Sequence, residues 1–374
     1  MNGKRWTGYA VAAFGLEGVV AAELRRLKMS GVLAENGGVR FEGTAEDIFL
    51  CNLRLRTCDR IYLLMAEGET GSFEDLYQMV SSVPWEQLCK GTEKYLVTAQ
   101  CARSRLMSPR DCQSITKKAI LDRLKKRAGI GFFPENGADF PVHVQIHSNR
   151  TRILLNTSGP SLSRRGYRTW NGEAPLRETL AAALVELSPW KPGIPLYDPC
   201  CGTGTLLIEA ALRQGHMAPG RNRAFAMEGF SFVPKDNCAQ IREQVLQESQ
   251  PERVAGIGGS DLDPEAIRLA QLHLHQAGLA GRIQLKILPL QELQLQEKNG
   301  VFLCNPPYGE RMSDVESCRK LYRELSLLMK RHPGWSLCAI SSDTGFEKAF
   351  GRRTDKTRRL YNGRLECQFY IYHP

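Results

Sequence analysis

Apolar positions keep two different rhythms along the chain, and the change falls near residue 176. Before it, short apolar runs alternate with amphipathic stretches. Residues 9–14, 37–43 and 60–68 read as strands, and 15–27 and 45–56 as helices. Residues 73–89 are amphipathic, 94–102 form a strand, and 111–129 form a helix crowded with Lys and Arg. Residues 142–159 read as two strands around the polar turn Ser148-Asn149-Arg150. Residues 160–175 are rich in Gly, Pro, Ser and Arg and suit a linker. From 176 the rhythm changes. A helix at 176–187 precedes five short apolar strands, at 194–198, 254–261, 283–288, 301–305 and 336–342. Helices at 204–214, 263–277 and 314–331 lie between them. Strands alternating with helices predict an α/β doubly wound, mainly parallel sheet covered on both faces. The tail 358–372 carries Asn362-Gly363 between strand-like segments, which predicts an antiparallel strand pair at one edge. The expected organisation is 1–65 as a small α+β unit, 66–159 as a second α+β unit, 160–175 as linker and 176–374 as the doubly wound domain.

Charge sharpens this division. The net charge is +10, and residues 101–170 alone hold fourteen Lys/Arg against four acids. Residues 351–374 hold six against two. An excess confined to two segments fits a polyanion-binding face, and fits equally a solvated helix face. The twelve cysteines form no CxxC pair, which predicts reduced thiols in a cytoplasmic protein. His273 and His275 stand two apart on an expected helix and point in different directions, so no zinc site is expected. No apolar run approaches about 18 residues, and the N-terminus reads as strand then helix, so neither a membrane span nor a signal peptide is expected.

Three strand ends carry the candidate chemistry. In Leu196-Tyr197-Asp198-Pro199-Cys200-Cys201-Gly202-Thr203-Gly204 a strand stops at an acid, a glycine turn follows, and a helix begins. Ligands of doubly wound sheets bind at such a carboxyl end. A dinucleotide fits poorly: Leu207 stands where a third glycine belongs, and Asp261 comes 57 residues after Gly204 rather than about 20. A carboxylate before the turn repels pyrophosphate and suits an ammonium group. The second end, Ser260-Asp261-Leu262-Asp263-Pro264, offers Asp261 to a ribose diol and Leu262 to a flat ring, while Asp263 suits a helix cap. A capping role alone remains open for both acids.

The third end is Phe302-Leu303-Cys304-Asn305-Pro306-Pro307-Tyr308-Gly309. Prolines cannot continue a ladder, so the strand must stop. The Asn305 side-chain oxygen and the Pro306 carbonyl can accept both hydrogens of one exocyclic amine. Pro307 fixes the backbone that aims them, and Tyr308 offers a ring for stacking. A plain turn also uses Asn, Pro and Gly. The order of the three motifs on one sheet favours the clamp.

Taken together, the Asp-Pro-Cys-Cys-Gly-Thr-Gly and Asn-Pro-Pro-Tyr-Gly runs resemble class I S-adenosylmethionine-dependent methyltransferases that modify amino groups, with a Rossmann-like sheet. Ser161–Arg168, the run 173–185, Met217–Phe225 and Tyr361–Tyr370 narrow the likeness to bacterial THUMP-domain RNA methyltransferases, similar to the 23S rRNA guanine-N2 enzymes. Relatives are often labelled N6-adenine-specific DNA methylases. The resemblance implies a ferredoxin-like unit and a THUMP domain before the catalytic domain. It implies S-adenosylmethionine as cofactor, held by Asp198, Gly202, Thr203, Gly204, Asp261, Leu262 and Thr179. It implies a target base held by Asn305, Pro306, Pro307 and Tyr308. RNA is the implied partner, 23S rRNA or a ribosomal precursor first, with Lys117, Lys118, Arg123, Lys125, Lys126 and Arg127 of the basic helix, and Arg164 and Arg165 of the linker, as contacts. One departure stands out: where relatives often place an acid after the third strand, this chain has Pro289-Leu290-Gln291. A tRNA guanine-N2 enzyme, an adenine-N6 enzyme and a non-catalytic RNA-binding assembly factor stay open.

Overall fold

The computed structural model describes residues 3–168, 176–308 and 312–374. Residues 169–175 of the expected linker, and Gly309 of the clamp run, lie outside the described residues. The chain divides into two compact units, one of residues 1–11, 20–162 and 223–244, the other of 12–19, 163–222 and 245–374.

The first unit is built on one seven-stranded sheet. In chain order it comprises β1 (Trp6–Val11), α1 (Glu17–Arg26), β2 (Ser30–Glu35), β3 (Gly38–Gly43), α2 (Ala45–Arg54) and β4 (Arg60–Glu69). It continues with α3 (Phe73–Ser82), β5 (Lys94–Ala102), α4 (Pro109–Ala128), β6 (Asp139–His147) and β7 (Arg150–Asn156). The sheet order is β2-β3-β1-β4-β7-β6-β5. Antiparallel pairing of β4 with β7, from Tyr62–Asn156 to Glu69–Arg150, makes the two expected α+β pieces one sheet. The β6–β7 turn forms where expected. Ser148 and Asn149 both take positive φ (50° and 64°), as a tight two-residue hairpin requires. Strand β2 is a correction: the pattern reading passed over it, although Asn36-Gly37 links it to β3.

Local chemistry starts and stops the helices. Thr44 and Asp47 form a capping box on α2, and Ser72 and Asp75 do the same on α3. Ser108 caps α4, Pro109 opens it, Lys125, Lys126 and Arg127 fill its last turn, and Gly129 ends it at φ +67°.

Residues 223–244 return to this unit, which the sequence reading did not anticipate. The Arg223 guanidinium donates to the carbonyls of Ser158, Pro160 and Ser161 at 3.2, 2.7 and 2.6 Å. Phe225 meets Phe49 edge-on at 5.7 Å, Phe230 packs on Phe140 at 5.3 Å, and Phe232 packs on Trp6 at 5.1 Å.

The second unit holds α5 (Glu178–Leu187), β8 (Leu196–Asp198), α6 (Thr205–Gln214), the end of α7 (Lys235–Gln247), β9 (Ile257–Asp261) and α8 (Pro264–Gln276). After these come β10 (Gln284–Ile287), β11 (Gly300–Cys304), α9 (Met312–Arg331), β12 (Trp335–Ser341), α10 (Phe346–Phe350), β13 (Lys356–Asn362) and β14 (Leu365–Tyr372). The order β10-β9-β8-β11-β12-β14-β13 is parallel through β12, and β14 and β13 close one edge antiparallel. Side chains alternate across the sheet. Leu303 and Ile340 pack with α5, α6 and α8, whereas Phe302, Cys304 and Ala339 pack with α9 and α10. Burial on both faces explains why these strands read as continuous apolar runs. No helix among the described residues is long and apolar enough to cross a membrane.

Candidate active site

Strand order reverses between β8 and β11, and a doubly wound sheet opens its ligand crevice at such a switch point. Register sets Tyr197 against Phe302 and Asp198 against Gly259, so the tips of β8, β9 and β11 stand side by side. Asp198, Asp261 and Asn305 therefore share one end of one sheet.

The β8 tip is shaped by backbone. Asp198 is 1% exposed, and its Oδ1 accepts the Cys200 N–H at 3.0 Å. No ion pair reaches it among the described residues. Burial, with Asp261 nearby, pushes its carboxyl well above the usual carboxylate range. Gly202 (φ +49°) would have nothing within 4 Å of an added Cβ, so the turn leaves open space above itself. Gly204 (φ +84°) is closed in, because a Cβ there would stand 3.2 Å from Ala270. Asp261 ties the two tips together: Oδ2 accepts from Gly202 N at 2.8 Å and Oδ1 from Asp263 N at 3.1 Å. Half-buried, it keeps further lone pairs for another donor. Leu262 is 68% exposed beside it. Asp263 caps α8 by accepting from Glu265 N. An ammonium group fits over a buried carboxylate without a cation, and a ribose fits beside Asp261. The donor set thus suits S-adenosylmethionine.

Behind the turn lies a supporting layer in which His273 was not expected. His273 bonds through Nδ1 with the Thr203 carbonyl at 3.1 Å. Arg168 donates to Thr205 Oγ1 at 2.7 Å and to the Leu176 carbonyl at 3.0 Å, with Glu178 at 3.4 Å. Thr179 is buried in the first turn of α5. After β10, Leu290 is buried and Gln291 exposed, while Leu288 N donates to the Asp261 carbonyl at 3.2 Å.

At the β11 tip Pro306 is buried and Asn305 half-buried. The Tyr322 hydroxyl donates to the Pro307 carbonyl at 3.0 Å and lies 3.2 Å from Ser341 Oγ. That bond braces the clamp from α9. The Tyr308 ring packs on the catalytic core, and its hydroxyl donates to Asn305 Oδ1. Burial, with Cys367 beside it, raises its pKa.

The basic contacts divide. Lys118, Lys125, Lys126 and Arg127 are exposed on α4, and Arg164 is exposed in its own unit. Lys117 pairs with Glu135 at 2.7 Å. Arg123 grips Glu86 through two bonds of 2.8 Å and donates to the carbonyls of Ser81 and Ser82, so it fastens α4 to its neighbours. Arg165 is a correction. It is buried and ion-paired with Glu209 at 3.2 Å, where Tyr167 also donates, and so cannot face RNA. A polar neighbourhood in sequence suggested solvent, but its counter-charge lies far along the chain.

Residues 165–371 match the family described as RMKL-like, methyltransferase domain. The chain belongs to this family. Residues 7–62 match the RlmL ferredoxin-like domain and 71–156 the THUMP domain. The Bacillus subtilis protein named "Putative RNA methyltransferase YpsC" is 36% identical over 99% of this chain and 96% of its own length. The ribosomal RNA large subunit methyltransferase K/L of Syntrophotalea carbinolica is 33% identical over 96% of this chain and 52% of its own length, so the chain spans about half of it. A crystal structure of SMU.472 complexed with SAH superposes with a TM-score of 0.94 at 37% identity, covering 99% of this chain and 98% of that one. A Listeria monocytogenes structure described as a "predicted N6-adenine-specific DNA methylase" matches equally, at 0.94 and 37%, over 99% and 97%. A THUMP domain joined to an RMKL-like methyltransferase domain is the arrangement the motifs implied.

Proposed function

We propose that this RMKL-like methyltransferase moves a methyl group from S-adenosylmethionine to the exocyclic N2 of a guanine in RNA, 23S rRNA first. The adjacency of the β8 and β11 tips carries the reading. It sets a carboxylate site for a cationic cofactor beside a carbonyl-lined site for an amine. The THUMP domain and the RNA methyltransferase names among the relatives support RNA over DNA.

When bound, the cofactor supplies an electrophilic methyl on a good leaving group. Asp198 neutralises its ammonium end, Gly202, Thr203 and Gly204 admit it, Asp261 takes the ribose hydroxyls, and Leu262 covers the adenine. Thr179 supports the amino-acid end from α5. At the clamp, Asn305 Oδ1 and the Pro306 carbonyl accept the two amine hydrogens and aim the nitrogen lone pair. The Tyr308 hydroxyl occupies Asn305 Oδ1 in the structure, so an incoming amine takes that hydroxyl's place and the ring turns to stack. The clamp reaches only a base that has left its stack. Lys118, Lys125, Lys126, Arg127 and Arg164 contribute phosphate contacts, so affinity falls with salt.

Nucleoside mass spectrometry of rRNA and tRNA from a deletion strain tests this. Loss of N2-methylguanine from 23S rRNA alone is expected. Loss from tRNA, loss of N6-methyladenine, or no loss would each replace the proposal with one of its rivals. Asn305→Ala should lower kcat by about 100-fold or more while S-adenosylmethionine binding is kept.

A further inference from the structure

The outer strand β13 and its two flanks carry cations that pair with no acid among the described residues. Arg353, Lys356, Arg358, Arg359 and Arg364 are exposed and form no ion pair with any described residue. Of the two acids of this tail, Asp355 pairs with Arg352, and Glu366 accepts from the Tyr361 hydroxyl at the margin of the cluster. Charge on an edge strand has an ordinary use, since it discourages pairing with another chain. That use does not call for an aromatic ring held among the charges.

Such a ring is present. Phe14 is 52% exposed, with its edge set against Tyr361 at 5.8 Å and 85°, and the Arg359 guanidinium lies 5.3 Å from its centroid. Its position is built in. Gly15 (φ +85°) runs so close to β13 that a Cβ would stand 2.8 Å from the Arg359 carbonyl, and Leu16 is anchored in the catalytic core. The cluster lies at the catalytic end of the sheet. Register puts Ser341, at the end of β12, against Gln368, and Gln368 against Arg359, while Leu360 pairs with Cys367, which lies beside Tyr308. Tyr361 is the next residue outward.

An exposed ring and a half-buried one set among cations match the stacking platforms that bind single-stranded nucleic acid. A protein partner fits less well. The other exposed large apolar side chain of this tail is Leu365, and five uncompensated cations are costly to desolvate. We propose that Phe14, Tyr361 and Arg359 form a subsite for an unpaired RNA nucleotide flanking the target base, with Arg358 and Arg364 on its phosphates. The inference rests on the RNA methyltransferase reading, because a base that leaves its stack for the clamp leaves unpaired neighbours.

Two measurements on the full chain test it. The first is ultraviolet cross-linking to a uridine 12-mer substituted with 5-iodouridine, with peptides mapped by mass spectrometry. Adducts on Phe14 or Tyr361 are expected, and adducts confined to the first unit would overturn the subsite. The second is fluorescence anisotropy with a labelled adenosine 12-mer. Phe14→Ala should raise Kd about tenfold, and Arg359→Gln should flatten its salt dependence, with S-adenosylhomocysteine binding unchanged in both. Equal affinity in wild type and Phe14→Ala, no binding by wild type, or equal competition by polyglutamate would sink the proposal. Methylation of rRNA from the deletion strain reports separately on the parent reading. Phe14-dependent binding without methyl transfer would end that reading and keep the subsite. Transfer with Phe14-independent binding would do the reverse.

Discussion

Two charge clusters, one in each unit, are handled in opposite ways. In the first unit five ionisable side chains are paired in a network on one part-exposed face of the sheet. Glu35 and Glu67 share Arg40 and Arg152, and Arg150 joins at Glu67. In the second unit three such groups are driven inside. Glu209 and Arg165 are paired at almost no exposure, and Asp198 is buried with backbone as its only described partner. Burying a charge is costly unless a partner offsets it. Two of these three arrangements are therefore explained by the fold alone. The Asp198 site is not, and it lies where the strand order reverses. An unbalanced buried carboxylate at a switch point is better read as half of an ion pair completed by a ligand.

The largest expected effect tests whether burial separates the two sheets. Glu209→Gln removes the carboxylate that pairs with the buried Arg165 guanidinium at 3.2 Å. Breaking such a pair from one side costs about 3–5 kcal/mol. Calorimetry of wild type and variant should show a marked drop in unfolding temperature. A drop no larger than that of Glu67→Gln would mean that the two pairs differ in position but not in energy.

The Asp198 site gives the next effect, and it depends on pH. Burial first, then Asp261, favour the protonated carboxyl, so a cationic ligand and a proton compete for this site. Affinity for S-adenosylhomocysteine should therefore weaken as pH falls, by up to about tenfold per unit below the free-site pKa. Asp198→Asn should bind more weakly with the slope gone. Isothermal titration over the pH range in which the protein stays folded, in two buffers of different ionisation enthalpy, reads both affinity and proton release. A flat wild-type profile would remove the case for Asp198 as the ammonium partner.

The same contrast explains what the sequence makes legible. The strand tips could be read because their chemistry is local: Asp198 before a glycine turn, Asn305 before two prolines. The alternation of β and α from 176 gave the doubly wound sheet for the same reason. What escaped is non-local. Phe225, Phe230 and Phe232 follow neither a period of two nor one of 3.6, because the positions of Phe49, Phe140 and Trp6 set their spacing. Arg165 looked like a linker charge because Glu209 lies beyond any local window. Strand β2 was legible, and the Asn36-Gly37 turn that announces it was passed over.

The smallest effect probes the first sheet on its own terms. Burial raises the Glu67 carboxyl, but hydrogen bonds from Arg40, Arg152 and Arg150 outweigh it and lower the pKa to about 2, against an ordinary 4.5. A carboxylate whose folded pKa lies below its unfolded one adds stability above the unfolded value and loses it as pH falls toward the folded value. Glu67→Gln should thus cost about 1 kcal/mol at neutral pH, as partly exposed networks do. The difference from wild type should shrink below pH 4.5 and vanish near pH 2. It should also shrink in high salt, which screens exposed pairs far more than buried ones. Urea unfolding at pH 7 and pH 4, with and without added salt, measures each part. A cost that ignored both salt and pH would show that Glu67 acts by packing, and the line drawn between a solvated network and a buried charge would fall within the first sheet rather than between the two.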